Sequence, residues 1–147
     1  MLFRSHHHTC WFWIATNTYG GVASYTAPFP ASGNVIGIGF DAAVHSNYQL
    51  MHGAGGALTY VDLGPNFPIN NPSAIIDVDL RCPPNGSAIT YLVKDRNSGL
   101  STSGTLSSNL PTGTSVMCLR SFITNGGTAA AVSYDLLPVY YSSYWSA

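Results

Sequence analysis

AIIDVDLRC, residues 74–82, alternates apolar and charged side chains with a period of two. Successive side chains of a strand point to opposite faces. Ile76, Val78, Leu80 and Cys82 are therefore expected to face a core, and Asp77, Asp79 and Arg81 to face water. A slip of one residue would bury three charges, so the pattern fixes the register. The same grammar continues downstream. PPNGS holds Asn85-Gly86, a two-residue hairpin signal. AITYLVKDR (88–96), a Ser-Gly turn and LSTSGTLSS (100–108) follow as a strand and its return. After the turn NLPTGT, SVMCLRSFIT (115–124) is expected to pair through Asn125-Gly126-Gly127 with TAAAVSYDLL (128–137).

Upstream, NVIGIGF (34–40), NYQLMHG (47–53) and ALTYVDLG (57–64) read as three more strands. In the last of these, Leu58, Tyr60 and Asp62 share one face and Thr59, Val61 and Leu63 the other. Pro65, Pro68 and Pro72 then mark an irregular connection. About eight short strands at regular spacing, with turn residues between them, define an all-β chain and point to an antiparallel β-sandwich, jelly-roll-like in connection.

Composition agrees. The 147 residues include no Glu, and charged residues make up 7%, far below the usual quarter. Surface helices are normally covered with Glu, Lys, Arg and Gln, so a helical protein is excluded. The net charge of −1 supplies no field to steer a nucleic acid. So sparse a charge also protects an isolated surface poorly against self-association. Residues 1–28 stand apart as an irregular or adventitious N-terminal segment, with residues 29–147 as the single sandwich domain. Its apolar run CWFWIA is too short to insert across a membrane, although Trp11 and Trp13 are spaced to share a strand face. The three cysteines permit at most one internal disulfide, and Cys82 and Cys118 sit in strand-like runs where a free thiol is expected to be buried.

Chemistry is hard to find. His45 and His52 lie an odd number of residues apart, on opposite faces of a straight strand, with Asp41 the nearest third ligand. His6, His7 and His8 are adjacent, which also splits them between faces. Asp77 and Asp79 share a face at a spacing of roughly 6–7 Å, compatible with a glycosidase pair, yet two acids on a wet face are the solvated pattern. No nucleophile elbow, phosphate loop or dinucleotide fingerprint occurs. The expectation is a protein that is not an enzyme and uses no metal or cofactor. Nine Tyr and three Trp, concentrated in the terminal VYYSSYWSA, favour interface packing. Ala129, Ala130 and Ala131 place small side chains where a strand normally carries large ones. With Tyr140, Tyr141, Tyr144 and Trp145 they form the candidate assembly interface.

VDLGPNFP (61–68), VKDRNSGLSTSGTLSSNLPTGT (93–114) and NGGTAAAVSYDLLPVY (125–140) resemble a group of tailed-bacteriophage virion proteins, small β-rich tail, head-fibre or minor structural modules. The similarity runs from about residue 31 to residue 141 and brings no catalytic residues with it. It implies a virion component, capsid- or tail-associated, that forms a homo-oligomer (a trimer first) and contacts other virion proteins. Attachment to host-surface glycans belongs to the same picture, and a carbohydrate-binding module using exposed Tyr and Trp is the alternative.

Overall fold

The computed structural model describes residues 2–3, 9–16, 32–115, 117–124, 134–135 and 139–140. Among them there is no helix, and every strand pairing is antiparallel. The strands are β1 (Leu2–Phe3), β2 (Thr9–Thr16), β3 (Ser32–Asp41), β4 (Gln49–Ala57) and β5 (Thr59–Asp62). They continue with β6 (Ile76–Arg81), β7 (Ile89–Asp95), β8 (Ser101–Leu106), β9 (Met117–Thr124) and β10 (Tyr134–Asp135). One sheet has the order β5-β4-β3-β2-β9, a second β6-β7-β8, and β1 pairs with β10. The chain is all-β, as its composition requires.

The decisive stretch folds as its alternation dictates. Ile76 is buried, and Val78 and Leu80 pack beside it against the core, while Asp77 and Asp79 are half-exposed and Arg81 is exposed. Its last position differs. Cys82 lies beyond the end of β6 and is exposed, so the expected burial of this thiol does not occur; its sulfur lies 3.6 Å from the Pro83 carbonyl. The β6–β7 connection spans residues 82–88 rather than two. Its turn is closed by the Gly86 amide donating to the Pro83 carbonyl at 2.9 Å, with Pro84 second and Asn85 at φ 55° third, the type II arrangement.

The larger difference is topological. Thr9–Thr16, placed by sequence in an irregular segment, is β2, which pairs with both β3 and β9 inside the larger sheet. Among the described strands, β2 to β5 follow one another through one sheet and β6 to β8 through the other. The hairpin expected at Asn125-Gly126-Gly127 lies outside the described residues.

One core serves both sheets. Ile38 and Phe40 of β3, Leu50 of β4, Ile76 of β6 and Val93 of β7 are buried in one cluster with Tyr48, Leu63, Phe67, Ile69 and Ala74. Phe40 and Tyr48 meet edge to face with centroids 5.1 Å apart, a geometry worth about 0.5–1.5 kcal/mol beyond the burial itself. The proline-bearing connection is thus part of the core. It lies along the β4 approach, where the Tyr48 amide donates to the Phe67 carbonyl at 2.9 Å and the Leu63 amide to the Tyr48 carbonyl at 3.0 Å. β4 is buried on both faces from Gln49 to Gly53, and a Cβ on Gly53 would stand 2.7 Å from the Gly33 carbonyl oxygen. Gly104 of β8 plays the same part in the smaller sheet. It pairs with Tyr91 across the ladder, and a Cβ there would lie 2.6 Å from the phenol oxygen.

Gly53→Ala is therefore expected to press its methyl against the Gly33 carbonyl, backbone that cannot swing aside, and to destabilise the fold by about 1–3 kcal/mol. Chemical denaturation measures it, and an unchanged midpoint would contradict the close packing of Gly53 against Gly33.

Candidate functional site

Of the expected interface, only Tyr140 is described. It is 92% exposed, and its neighbour Val139 is 47% exposed. Ala129, Ala130, Ala131, Tyr141, Tyr144 and Trp145 lie outside the described residues. A tyrosine ring open to water next to an open valine is an apolar surface at the chain's C-terminal end, of the kind that marks contact sites when it is part of a larger patch.

One group of titratable side chains sits where the β3–β4 turn meets β5. The turn is closed by the His45 and Val44 amides, which both donate to the Asp41 carbonyl, at 2.8 and 3.0 Å. The Asp41 amide donates to Nδ1 of His45 at 3.0 Å. A backbone N–H can only donate, so the neutral imidazole carries its proton on Nε2. The Tyr60 ring lies 5.8 Å from the imidazole. Burial lowers the His45 pKa, and the nearby carboxylates of Asp41 and Asp62 act against that shift. Burial also raises the Tyr60 phenol, with Asp41 adding to it. For Asp62, burial works upward, but hydrogen bonds from the Gly64 amide, Gln49 and Asn47, with the charge of His45, hold it below the ordinary carboxylate value. The Gly64 amide reaches Asp62 Oδ1 at 2.7 Å and the Asn47 side-chain amide reaches it at 3.0 Å. Thus Asp62 ties β5 to the start of the core connection.

His52 is elsewhere. It is buried in β4, with Nδ1 3.1 Å from the Asn109 carbonyl oxygen, so the two histidines are not brought together. Asn109 was not legible as a special position; sequence marks it only as part of a turn. With φ at 49°, it aims its side chain at the β4–β5 hairpin. Its Oδ1 accepts from the Ala54 amide at 3.0 Å, and its Nδ2 donates to the Ala57 carbonyl and the Thr59 hydroxyl, both at 2.9 Å.

Asp77 and Asp79 each have their own cation. Arg96 Nε pairs with Asp77 Oδ2, and Arg81 grips both oxygens of Asp79, its Nε 3.0 Å from Oδ1. The hydrogen bond from Arg81 is the main reason the Asp79 carboxyl lies below its usual range. A shallow hollow of about 280 Å³ lies here, lined by Asp79, Arg81, Thr90, Tyr91 and Leu92. Cys118 is a half-buried free thiol in β9. Among the described residues, no group of three His, Cys, Asp or Glu side chains is placed to hold a metal ion. Compared with protein-family models, with curated proteins and with solved structures, the chain matches none.

The His45 arrangement gives a pH dependence of definite sign. Its pKa is lower folded than unfolded, so the unfolded chain takes up the proton first as pH falls. The stability it contributes is present above the unfolded value of about 6.5 and is lost as pH falls through the folded pKa. His45→Gln keeps an acceptor for the Asp41 amide but does not titrate. Comparing denaturation midpoints of the two proteins from neutral pH downward, the wild type is expected to lose stability relative to the variant. Parallel curves would contradict this assignment.

Proposed function

We propose that the chain is a non-enzymatic, self-assembling structural component of a virion, a capsid- or tail-associated fibre or decoration protein. The observation that carries the assembly reading is Tyr140, almost wholly open to water beside an exposed Val139, on a chain whose charged fraction of 7% leaves it poorly guarded against association. The virion setting comes from the resemblance in residues 61–68, 93–114 and 125–140, which place the same terminal segment at the end of the β-module. Within this reading the two sheets form a sandwich, supported by the single core to which both contribute. The assembly is a homo-oligomer, with a closed threefold arrangement as the first expectation, in contact with other virion proteins.

The side chains that resemble catalytic groups are accounted for by local bonding. Asp77 and Asp79 are paired with arginines, and the Tyr60 phenol is pushed up, away from the activated state a nucleophile needs. A second reading is favoured by one observation. The half-open ring of Tyr60 stands two residues from the Asp62–Asn47 hydrogen bond, a ring beside polar groups of the kind a sugar-binding surface uses. Glycan binding would then act alongside assembly at the host surface.

Sedimentation at micromolar concentration is expected to find a multimer, and Tyr140→Asp to shift it toward the monomer. A wild-type protein that stays monomeric would overturn the assembly reading and leave the glycan-binding one.

A further inference from the structure

The exposed edges of the two sheets are not alike. Natural sheets blunt free edges with charged side chains, short strands or prolines, because unpaired backbone groups recruit other strands. At one edge of the smaller sheet, β6 carries Asp77, Asp79 and Arg81. In the larger sheet, β5 is four residues long and ends in Asp62, and β9 carries Arg120. β8, with the sequence STSGTL, has six residues and neither a charge nor a proline. Among the described residues it pairs only with β7.

The ladder fixes which of its backbone groups are free. The Asp95 amide donates to the Leu100 carbonyl at 2.9 Å, which makes Asp95 and Leu100 a hydrogen-bonded pair just beyond the Lys94–Ser101 step of the register. Antiparallel pairs alternate between bonded and non-bonded. The bonded pairs are then Val93–Thr102, Tyr91–Gly104 and Ile89–Leu106, and Ser101, Ser103 and Thr105 turn their N–H and C=O groups to the outer edge. The side chains of these same three residues are exposed.

We infer that β8 is the edge through which two copies of this chain pair, strand against antiparallel strand about a two-fold axis at Ser103. A second copy is the occupant that fits. In this register Ser103 faces Ser103 and Ser101 faces Thr105, so no like charges are opposed and hydroxyl neighbours meet across the seam, a favourable cross-strand combination. The same operation on β6 centred at Asp79 would set two carboxylates against each other, and the Asp77–Arg81 approach that it also creates would compete with the ion pairs these side chains already make with Arg96 and Asp79. The pairing joins the two three-stranded sheets into one continuous sheet and is isologous. It deepens the assembly reading and rests on it, but uses a surface separate from Tyr140; combined with a threefold contact at Tyr140 it gives six copies, and without one it gives two, so its loss halves the mass in either case.

Ser103→Pro tests this, because Pro at that position removes an outward N–H and no bond to β7. Ser103→Lys is the second variant, opposing two cations on the axis while leaving the backbone intact. Sedimentation is expected to show either variant halving the wild-type mass. Hydrogen exchange of the wild type is expected to show the Ser101, Ser103 and Thr105 amides protected in the multimer and exchanging freely on dilution. A multimer whose three amides exchange freely, with mass unchanged by Ser103→Lys, would overturn the β8 pairing and leave assembly through another surface standing. A wild type monomeric at every concentration would overturn the assembly reading and this inference with it.

Discussion

A single apolar core to which both sheets contribute is the constraint on which the other features depend, and one buried carboxylate holds the strands of the smaller sheet in place. Asp95 is 2% exposed. Its Oδ1 accepts from the Ile75 amide at 3.1 Å and the Asn97 amide at 3.0 Å, and its Oδ2 accepts from the Ser98 hydroxyl at 2.9 Å. Burial alone would raise its pKa; these hydrogen bonds outweigh that and leave the carboxyl below its ordinary value. Charge-assisted bonds of this kind are worth roughly 1.5–3 kcal/mol each, and several together match the several kcal/mol that burying an ion costs. The bond to Ile75 fastens the end of the core connection to β7. Those to Asn97 and Ser98 shape the β7–β8 turn, closed by the Gly99 amide on the Asp95 carbonyl at 2.8 Å. One side chain thus sets the positions of β6, β7 and β8 together.

The smaller sheet was the most legible part of the chain, and the reason is local. Its strands follow each other closely, its faces alternate, and Pro, Asn and Gly mark its turns. β3 and β5 were legible for the same reason, and the packing of Val61 and Leu63 against the core follows the alternation of their segment; β4, read as residues 47–53, instead runs on through Gly55 and Gly56 to Ala57, because those glycines do not break the ladder. β2 was not. Its sequence, TCWFWIAT, has no polar–apolar alternation to read, no tight turn signal joins it to β3, and its other partner β9 lies about a hundred residues away, a pairing that no local pattern encodes. Cys82 was misread because a period of two says nothing about where a strand stops. There the two prolines that follow end the ladder.

The candidate sites divide in the same way. Exposure of a C-terminal aromatic could be anticipated from composition, and Tyr140 is open. The convergence of His45 with Tyr60 and Asp62 depends on how the β3–β4 turn folds back toward β5, and Asn109 reaches the β4–β5 hairpin from the segment after β8. Neither contact has a signature in the spacing of residues. The charge difference between edges has no sequence signature either. β6 carries three charged side chains and β8 none, but only the strand order shows that both are edges among the described residues.

Low charge and a shared core are linked physically. Each sheet must keep one face apolar, and a chain without Glu and with few Lys or Arg has little with which to cover the rest. Where charges occur they are concentrated. Asp77, Asp79, Arg81 and Arg96 all lie on or beside β6, and Asp41, Asp62 and Asp95 shape turns and connections through hydrogen bonds. Charges used as internal fasteners do not act as long-range repulsion, because each is neutralised or bonded close by. Much of the remaining described surface is hydroxyl and amide, with the Tyr60 and Tyr140 rings and the aliphatic Val44, Leu92, Leu100, Leu119 and Val139 also open; its polar groups lose little by exchanging water for the equivalent groups of a neighbour. That property makes close approach between copies inexpensive, which is the physical argument behind the assembly proposed above.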